Sequence, residues 1–148
     1  MIYMKTNDDC QHILKNEGLK NTKHRSSIIN MIEKSEQPLT AEQIFLELKE
    51  NNSSINLSTV YRILNVLTDK HILNKSDYED KTLFEKNVNE HSHHFICSGC
   101  KKMFKISGCP LEGYEKTIHD KLGFDITGHK LELYGLCKDC KINHQLIK

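Results

Sequence analysis

Two C-x2-C knuckles, Cys97-Ser98-Gly99-Cys100 and Cys137-Lys138-Asp139-Cys140, constrain this chain more than any other feature. Two residues between cysteines allow a tight turn that aims both sulfurs at one point, and two such turns supply the four corners of a tetrahedral zinc site. Four thiolates suit zinc better than magnesium or calcium. The competing readings are a redox dithiol or a pair of disulfides, but paired knuckles around an intervening folding unit specify a metal more directly. Cys97, Cys100, Cys137 and Cys140 are therefore the expected structural zinc ligands.

The residues ahead of the first knuckle read His91-Ser92-His93-His94-Phe95-Ile96. Phe95-Ile96 has the character of a buried strand, and alternate residues of a strand face opposite ways. His91 and His93 then share one face while Ser92 and His94 share the other, so one cluster in the sequence can feed two sites. Any one of these residues alone reads as a solvated surface histidine; three within four positions point to a second metal.

A chain of 148 residues suits one ordinary domain or two small ones. A half-sized domain has a marginal core, and a closing zinc site can add about 10 to 16 kcal/mol of folding free energy at neutral pH. With 37% hydrophobic and 28% charged residues the composition is that of a soluble globular protein. No apolar run approaches a membrane span, and Met1-Ile2-Tyr3-Met4-Lys5 lacks the apolar region of a secretion signal, so a cytoplasmic protein with reduced thiols is expected. The net charge is only +1, which leaves any nucleic-acid contact local and geometrical rather than electrostatic in bulk.

In chain order, residues 8 to 18 read as a short helix ending at Gly18. Thr22 caps a second helix with Ile28, Ile29 and Ile32 at helical spacing, and Pro38 ends it. Thr40 with Gln43 forms a capping box for a third helix carrying Ala41, Ile44 and Leu48, which runs to the Asn51-Asn52-Ser53-Ser54 turn. A fourth, about Leu57 to Lys70, gathers Val60, Ile63, Leu64 and Leu67 on one side and sets Ser58, Arg62 and Asn65, flanked by Tyr61, on the other. Two runs, His71 to Ser76 and Thr82 to Lys86, read as a β-hairpin around residues 77 to 81. Helices followed by such a hairpin make a winged helix-turn-helix, whose fourth-helix outer face can read a DNA groove. Polar residues 87 to 92 then mark a hinge. Beyond it, Met103 to Ile106 reads as a strand. Pro110 opens a helix bearing Leu111, Tyr114, Ile118 and Leu122 and closed by Gly123, and Phe124 to Thr127 and Lys130 to Tyr134 read as two more strands. The expected fold is α+β, with a winged-helix DNA-binding domain over 1–86, a hinge over 87–92, and a small α/β dimerisation domain with a four-cysteine zinc site over 93–148.

Three segments, in this order, give the chain a family likeness: Ser58-Thr59-Val60-Tyr61-Arg62-Ile63-Leu64, the stretch from His91 to Cys100, and Gly128-His129-Lys130-Leu131-Glu132-Leu133-Tyr134-Gly135-Leu136-Cys137. With them the chain resembles, over nearly its whole length, the ferric uptake regulator family of metal-responsive repressors. Cys109-Pro110 and the second knuckle make it most similar to the zinc uptake regulators within that family. The resemblance implies a second metal site of His91, His93, Glu112 and His129, a donor set that suits Zn(II), Fe(II) or Mn(II). It also implies a regulatory site at the hinge. There Glu85 and His94 match, but Pro38, Ser92 and Lys105 stand where relatives carry ligands, and Asn74 and Asn87 stand where the zinc branch has an aspartate and a cysteine. Such a site would be absent, weak or rebuilt from Cys10, His12, His71 or Cys109.

The function expected on these grounds is that of a cytoplasmic homodimeric repressor, binding a palindromic DNA operator with zinc as corepressor and controlling metal-uptake genes. Arg62 and Tyr61 are the expected base or backbone contacts, with Ser58 and Thr59 on phosphate. Rival readings are an iron or peroxide sensor of the same family, with Cys109 before a helix N-terminus as a reactive thiol, and a zinc enzyme. The enzyme is disfavoured because a catalytic zinc needs an open coordination position and a nearby general base, yet the chain has no H-E-x-x-H segment and no P-C-x-x-C with an upstream H-x-E pair.

Overall fold

The computed structural model describes residues 7–51, 53–88 and 91–145. The Met1–Lys5 segment, Asn52 of the expected turn, and Asn89 and Glu90 of the expected hinge lie outside the described residues. The chain divides into two compact units, Met1–Val88 and Asn89–Lys148.

The first unit runs α1 (Asn7–Asn16), α2 (Lys23–Lys34), α3 (Ala41–Glu50), α4 (Leu57–Asp69), β1 (Leu73–Tyr78) and β2 (Lys81–Lys86). Its helices start where side chains can satisfy the orphan amides of the first turn. Thr22 accepts from the Arg25 N–H at 3.3 Å. Thr40 and Gln43 make both bonds of the capping box, at 2.8 and 3.1 Å. The apolar stripes then close on one core: Ile28, Ile29 and Ile32 of α2, Ala41, Ile44 and Leu48 of α3, and Val60, Leu64 and Leu67 of α4 enclose Cys10 and Leu14 of α1 and Phe84 of β2.

Asn56 sets the start of α4. Its Oδ1 accepts the Thr59 N–H at 2.9 Å and the Ser58 hydroxyl at 2.8 Å. An N-cap of this kind contributes about 1 kcal/mol, so Asn56→Ala is expected to lower the melting temperature of the first unit by roughly 4–8 °C in a thermal scan.

The hairpin differs from expectation in its turn. β1 and β2 pair from Leu73↔Lys86 to Tyr78↔Lys81, leaving a two-residue loop of Glu79 and Asp80 instead of a loop over 77–81, with Glu79 at φ 53°. Asp77 accepts from the Thr82 hydroxyl at 2.8 Å, so charged residues extend a ribbon whose outer half on β1 has no fully buried residue. Leu39, just after the helix-breaking Pro38, bridges Phe84 through bonds of 2.9 and 2.8 Å and ties the loop before α3 to the wing.

The second unit runs β3 (Ser92–Cys97), β4 (Met103–Ser107), α5 (Glu112–Leu122), β5 (Glu132–Gly135) and α6 (Lys138–Gln145). β3 is central in the order β4-β3-β5, antiparallel to β4 with Ser92 opposite Ser107 and parallel to β5 with Cys97 opposite Gly135. The strand expected over Phe124–Thr127 does not form, and that expectation is corrected. Phe124 and Ile126 are exposed, so no burial compensates the ordering of a strand there. Helix α6, which begins inside the second knuckle, is an element that the sequence reading does not contain. Gly123 ends α5 at φ 68° with its N–H on the His119 carbonyl, as its left-handed conformation allows.

Ile96, Cys97 and Met103 are the buried apolar side chains of this unit among the described residues. α5 buries none, and its apolar positions Tyr114 and Leu122 are 62% and 60% exposed. So small a core calls for a metal or a partner to hold it.

Candidate functional site

The two knuckles meet at the end of β3. Cys97 is its last residue; Cys100 follows in a turn completed by Lys101 at φ 63°, whose N–H bonds the Cys97 carbonyl at 2.9 Å. Cys137 follows β5, and Cys140 lies in the first turn of α6. The four sulfurs lie within 4.8 Å of one another and none of them is joined in a disulfide, which speaks against the disulfide reading. Zn–S bonds of about 2.3 Å in a tetrahedron place sulfurs about 3.8 Å apart; Cys100 Sγ and Cys137 Sγ are separated by 3.8 Å. The donor set therefore fits zinc.

Gly99 eases this approach. A Cβ there would stand 3.0 Å from Cys140 Sγ and 3.3 Å from Leu136 Cδ2, tighter than ordinary contact, so a larger residue would push the second knuckle away from the first by a few tenths of an ångström. The N–H groups of Cys137 and Cys100 donate to Cys97 Sγ at 3.2 and 3.5 Å and lower its pKa to about 6. The neighbouring sulfurs of Cys137 and Cys97 push Cys140 up to about 12, as expected where several thiols crowd one another and each favours its neighbour's proton. A divalent ion relieves that crowding by replacing the protons.

A second group lies at the other end of β3. His91 and His93 share the face that strand alternation assigns them, and His129 reaches them from the segment before β5. His129 Nε2 is 2.8 Å from His91 Nε2 and 3.4 Å from His93 Nε2. Glu115 of α5 faces His129 Nδ1, so Nδ1–H donates to its carboxylate and the Nε2 lone pair is left for a metal. His93 is 5% exposed; burial, then the adjacent His91 and His129, lowers its pKa and favours the neutral, ligating form.

The fourth member of this group is Cys109, not Glu112. Glu112 occupies the exposed first turn of α5, beside a groove it lines with Glu115, Lys116, His119 and Phe124. Cys109 Sγ stands 3.3 Å from His129 Nε2. On sequence, Cys109 is a reactive thiol or a hinge donor, and Glu115 has no expected role. The signal available for Glu115 is its position one helical turn after Glu112.

Glu85 of β2 pairs with Asn74 in the first unit, and His94 of β3 pairs with Lys105 and Glu132 in the second. On α4 the outer face carries Ser58, Tyr61, Arg62 and Asn65, all exposed, with Thr59 half-buried. Arg62 projects from the middle of the helix. The Tyr61 hydroxyl donates to Glu42 of α3 at 2.5 Å, which fixes the ring across the groove between the two helices. Ser58 and the Thr59 amide are both engaged by Asn56, so a phosphate at this end must compete with the cap.

The ferric uptake regulator family model matches residues 16–134. The ferric uptake regulation protein of Bordetella parapertussis is 35% identical over 133 residues, covering 88% of this chain and 96% of that protein. That of Haemophilus influenzae is 34% identical over 134 residues, covering 89% and 90%. The Vibrio cholerae ferric uptake regulator structure matches with a TM-score of 0.71 at 32% identity, over 86% of this chain and 98% of that one.

Proposed function

The chain belongs to the ferric uptake regulator family, and from that premise we propose that it is a homodimeric repressor of metal-uptake genes that uses zinc as corepressor. Members of the family are metal-responsive transcription regulators rather than enzymes. The observation that carries the reading is the pairing, in one chain, of a winged helix with an exposed Tyr61-Arg62 face and a unit whose imidazoles converge on a single point. Cys97, Cys100, Cys137 and Cys140 hold the structural zinc in this reading, and His91, His93 and His129 hold the regulatory ion. Arg62 and Tyr61 read a palindromic operator, while Ser58 and Thr59 flank the phosphate. The apolar residues left exposed on the second unit, Tyr114, Leu122, Leu133 and Tyr134 among them, supply the surface for a second copy. A DNA-binding dimer that holds zinc through thiolates is, in this reading, a cytoplasmic protein.

Zinc is supported by the likeness of Cys109-Pro110 and of the second knuckle to the zinc branch. The curated relatives are named for iron, which makes Fe(II) the second reading.

The residues of this chain do two jobs. Glu115 orients His129, and burial keeps His93 neutral, so little reorganisation is needed when an ion enters. Two recognition helices reach successive major grooves only if spaced by about one turn, roughly 34 Å. Metal affinity and DNA affinity are then linked through whichever state of the dimer meets that spacing.

The test is a fluorescence-anisotropy titration against a palindromic duplex recovered by selection, with and without a chelator mild enough to leave the four-cysteine zinc in place. Metal is expected to tighten binding by about 5- to 150-fold. Equal affinity in both conditions rejects the reading, and repeating the titration under Zn(II), Fe(II) and Mn(II) decides the ion.

A further inference from the structure

We propose that the Cys109 thiolate, in place of the Glu112 carboxylate, completes the second metal site, making it a centre of three imidazoles and one thiolate that selects zinc. The inference rests on the regulatory-site reading above and adds its fourth ligand and its metal preference.

Three independent features of the chain bring Cys109 to this point. β4 ends at Ser107, directly opposite Ser92, so the residues that follow emerge beside His91 and His93. Gly108 then takes φ 85°, a conformation that residues with a Cβ rarely adopt, and turns the chain back. Pro110 follows, and a residue before proline is held in extended backbone. Cys109 is thus fixed from both sides, half-buried and 3.3 Å from His129 Nε2.

The spacing suits an ion. Zinc bonds of about 2.0–2.1 Å to nitrogen and 2.3 Å to sulfur give tetrahedral edges of roughly 3.3–3.6 Å. The His129–His93 edge is 3.4 Å and the His129–Cys109 edge 3.3 Å, while His91 stands nearer to His129, at 2.8 Å. Glu112, exposed on α5, is outside the group, and Glu115 is committed to the far nitrogen of His129. A thiolate is a soft donor that favours zinc over manganese or iron(II), whereas a carboxylate in its place serves all three. On coordination the Cys109 thiol releases its proton to solvent and the sulfur bonds the ion; no oxidant or reductant is involved.

The experiment uses the full chain with one equivalent of zinc already in the four-cysteine site, titrated with Co(II) as a spectroscopic stand-in for zinc. Wild type is expected to show a sulfur-to-cobalt charge-transfer band of one thiolate. Cys109→Ser should lose that band and bind zinc at least about 10- to 100-fold more weakly, the loss usual even for partners one step removed from the metal. Glu112→Gln should keep both the band and the affinity. A band that survives Cys109→Ser, or an affinity that falls in Glu112→Gln and not in Cys109→Ser, overturns the proposal. Zinc should also protect Cys109 of the wild-type protein from N-ethylmaleimide, read by peptide mass spectrometry; labelling unaffected by zinc overturns it without recourse to variants. The cobalt band with metal-independent DNA binding upholds this inference while removing the regulator reading. Metal-dependent DNA binding without the band does the reverse.

Discussion

Replacing Cys137 by serine is expected to unfold the second unit while the first keeps its shape. The cysteine supplies one of four sulfurs within 4.8 Å, and its N–H also donates to Cys97 Sγ. Structural zinc of this kind contributes about 10 to 16 kcal/mol to a folded state, more than most domains possess in total, roughly 5 to 15 kcal/mol. The second unit has little to set against that loss, since Ile96, Cys97 and Met103 make up its described apolar core. The first unit has its own core from α1 to β2 and contributes none of the four clustered sulfurs. Elemental analysis should find one zinc fewer per chain, and calorimetry should retain the transition of the first unit while losing that of the second. Gel filtration should lose the dimer. Full zinc content with an unchanged melting profile in Cys137→Ser would remove the four-cysteine assignment.

The second large effect is expected at Arg62. Its side chain stands on the solvent face of α4 between Tyr61 and Asn65, with Val60, Leu64 and Leu67 anchoring the opposite side. A guanidinium that meets guanine in bidentate fashion contributes about 1–3 kcal/mol, so Arg62→Ala should weaken operator binding by roughly 5- to 150-fold. Because Arg62 lies on the exposed face, away from the buried stripe, zinc content and melting temperature should stay at wild-type values. The salt dependence assigns the contact. A loss specific to the operator places Arg62 on a base, whereas a uniform loss with a shallower salt slope places it on phosphate. Unchanged affinity on both specific and random duplexes would move DNA recognition away from α4.

Much of the first unit was legible in the sequence because its signals are local. Thr22 caps α2, Thr40 and Gln43 box α3, and the stripe of Val60, Leu64 and Leu67 recurs at helical spacing. The knuckles were legible for the same reason, since each is a four-residue turn with sulfurs at its ends. The second unit was harder. Phe124 and Ile126 looked like strand residues because they are apolar, but with no fully buried residue on α5 there is no core there for them to join, and both stay exposed. Helix α6 is short and polar, and it starts where a knuckle had already claimed Cys137 and Cys140. Family likeness put Glu112 into the metal site, and nothing in the residue pattern separates its carboxylate from the Cys109 thiol three positions earlier. Gly108 and Pro110 shape the backbone that sets Cys109 beside the three histidines, a proximity that shows only once β4 is laid beside β3.

Strand β3 carries His93 near its start and Cys97 at its end, four residues or about 13 Å apart along one edge-to-edge run of backbone. A slip of one residue against β4 and β5 would turn both side chains over at once. A metal held by the four sulfurs at the far end would thereby also hold the register that aligns the imidazoles at the near end. If the two groups hold the ions proposed above, a subunit starved of zinc at its cysteines should respond weakly to metal at its histidines although every histidine is still present.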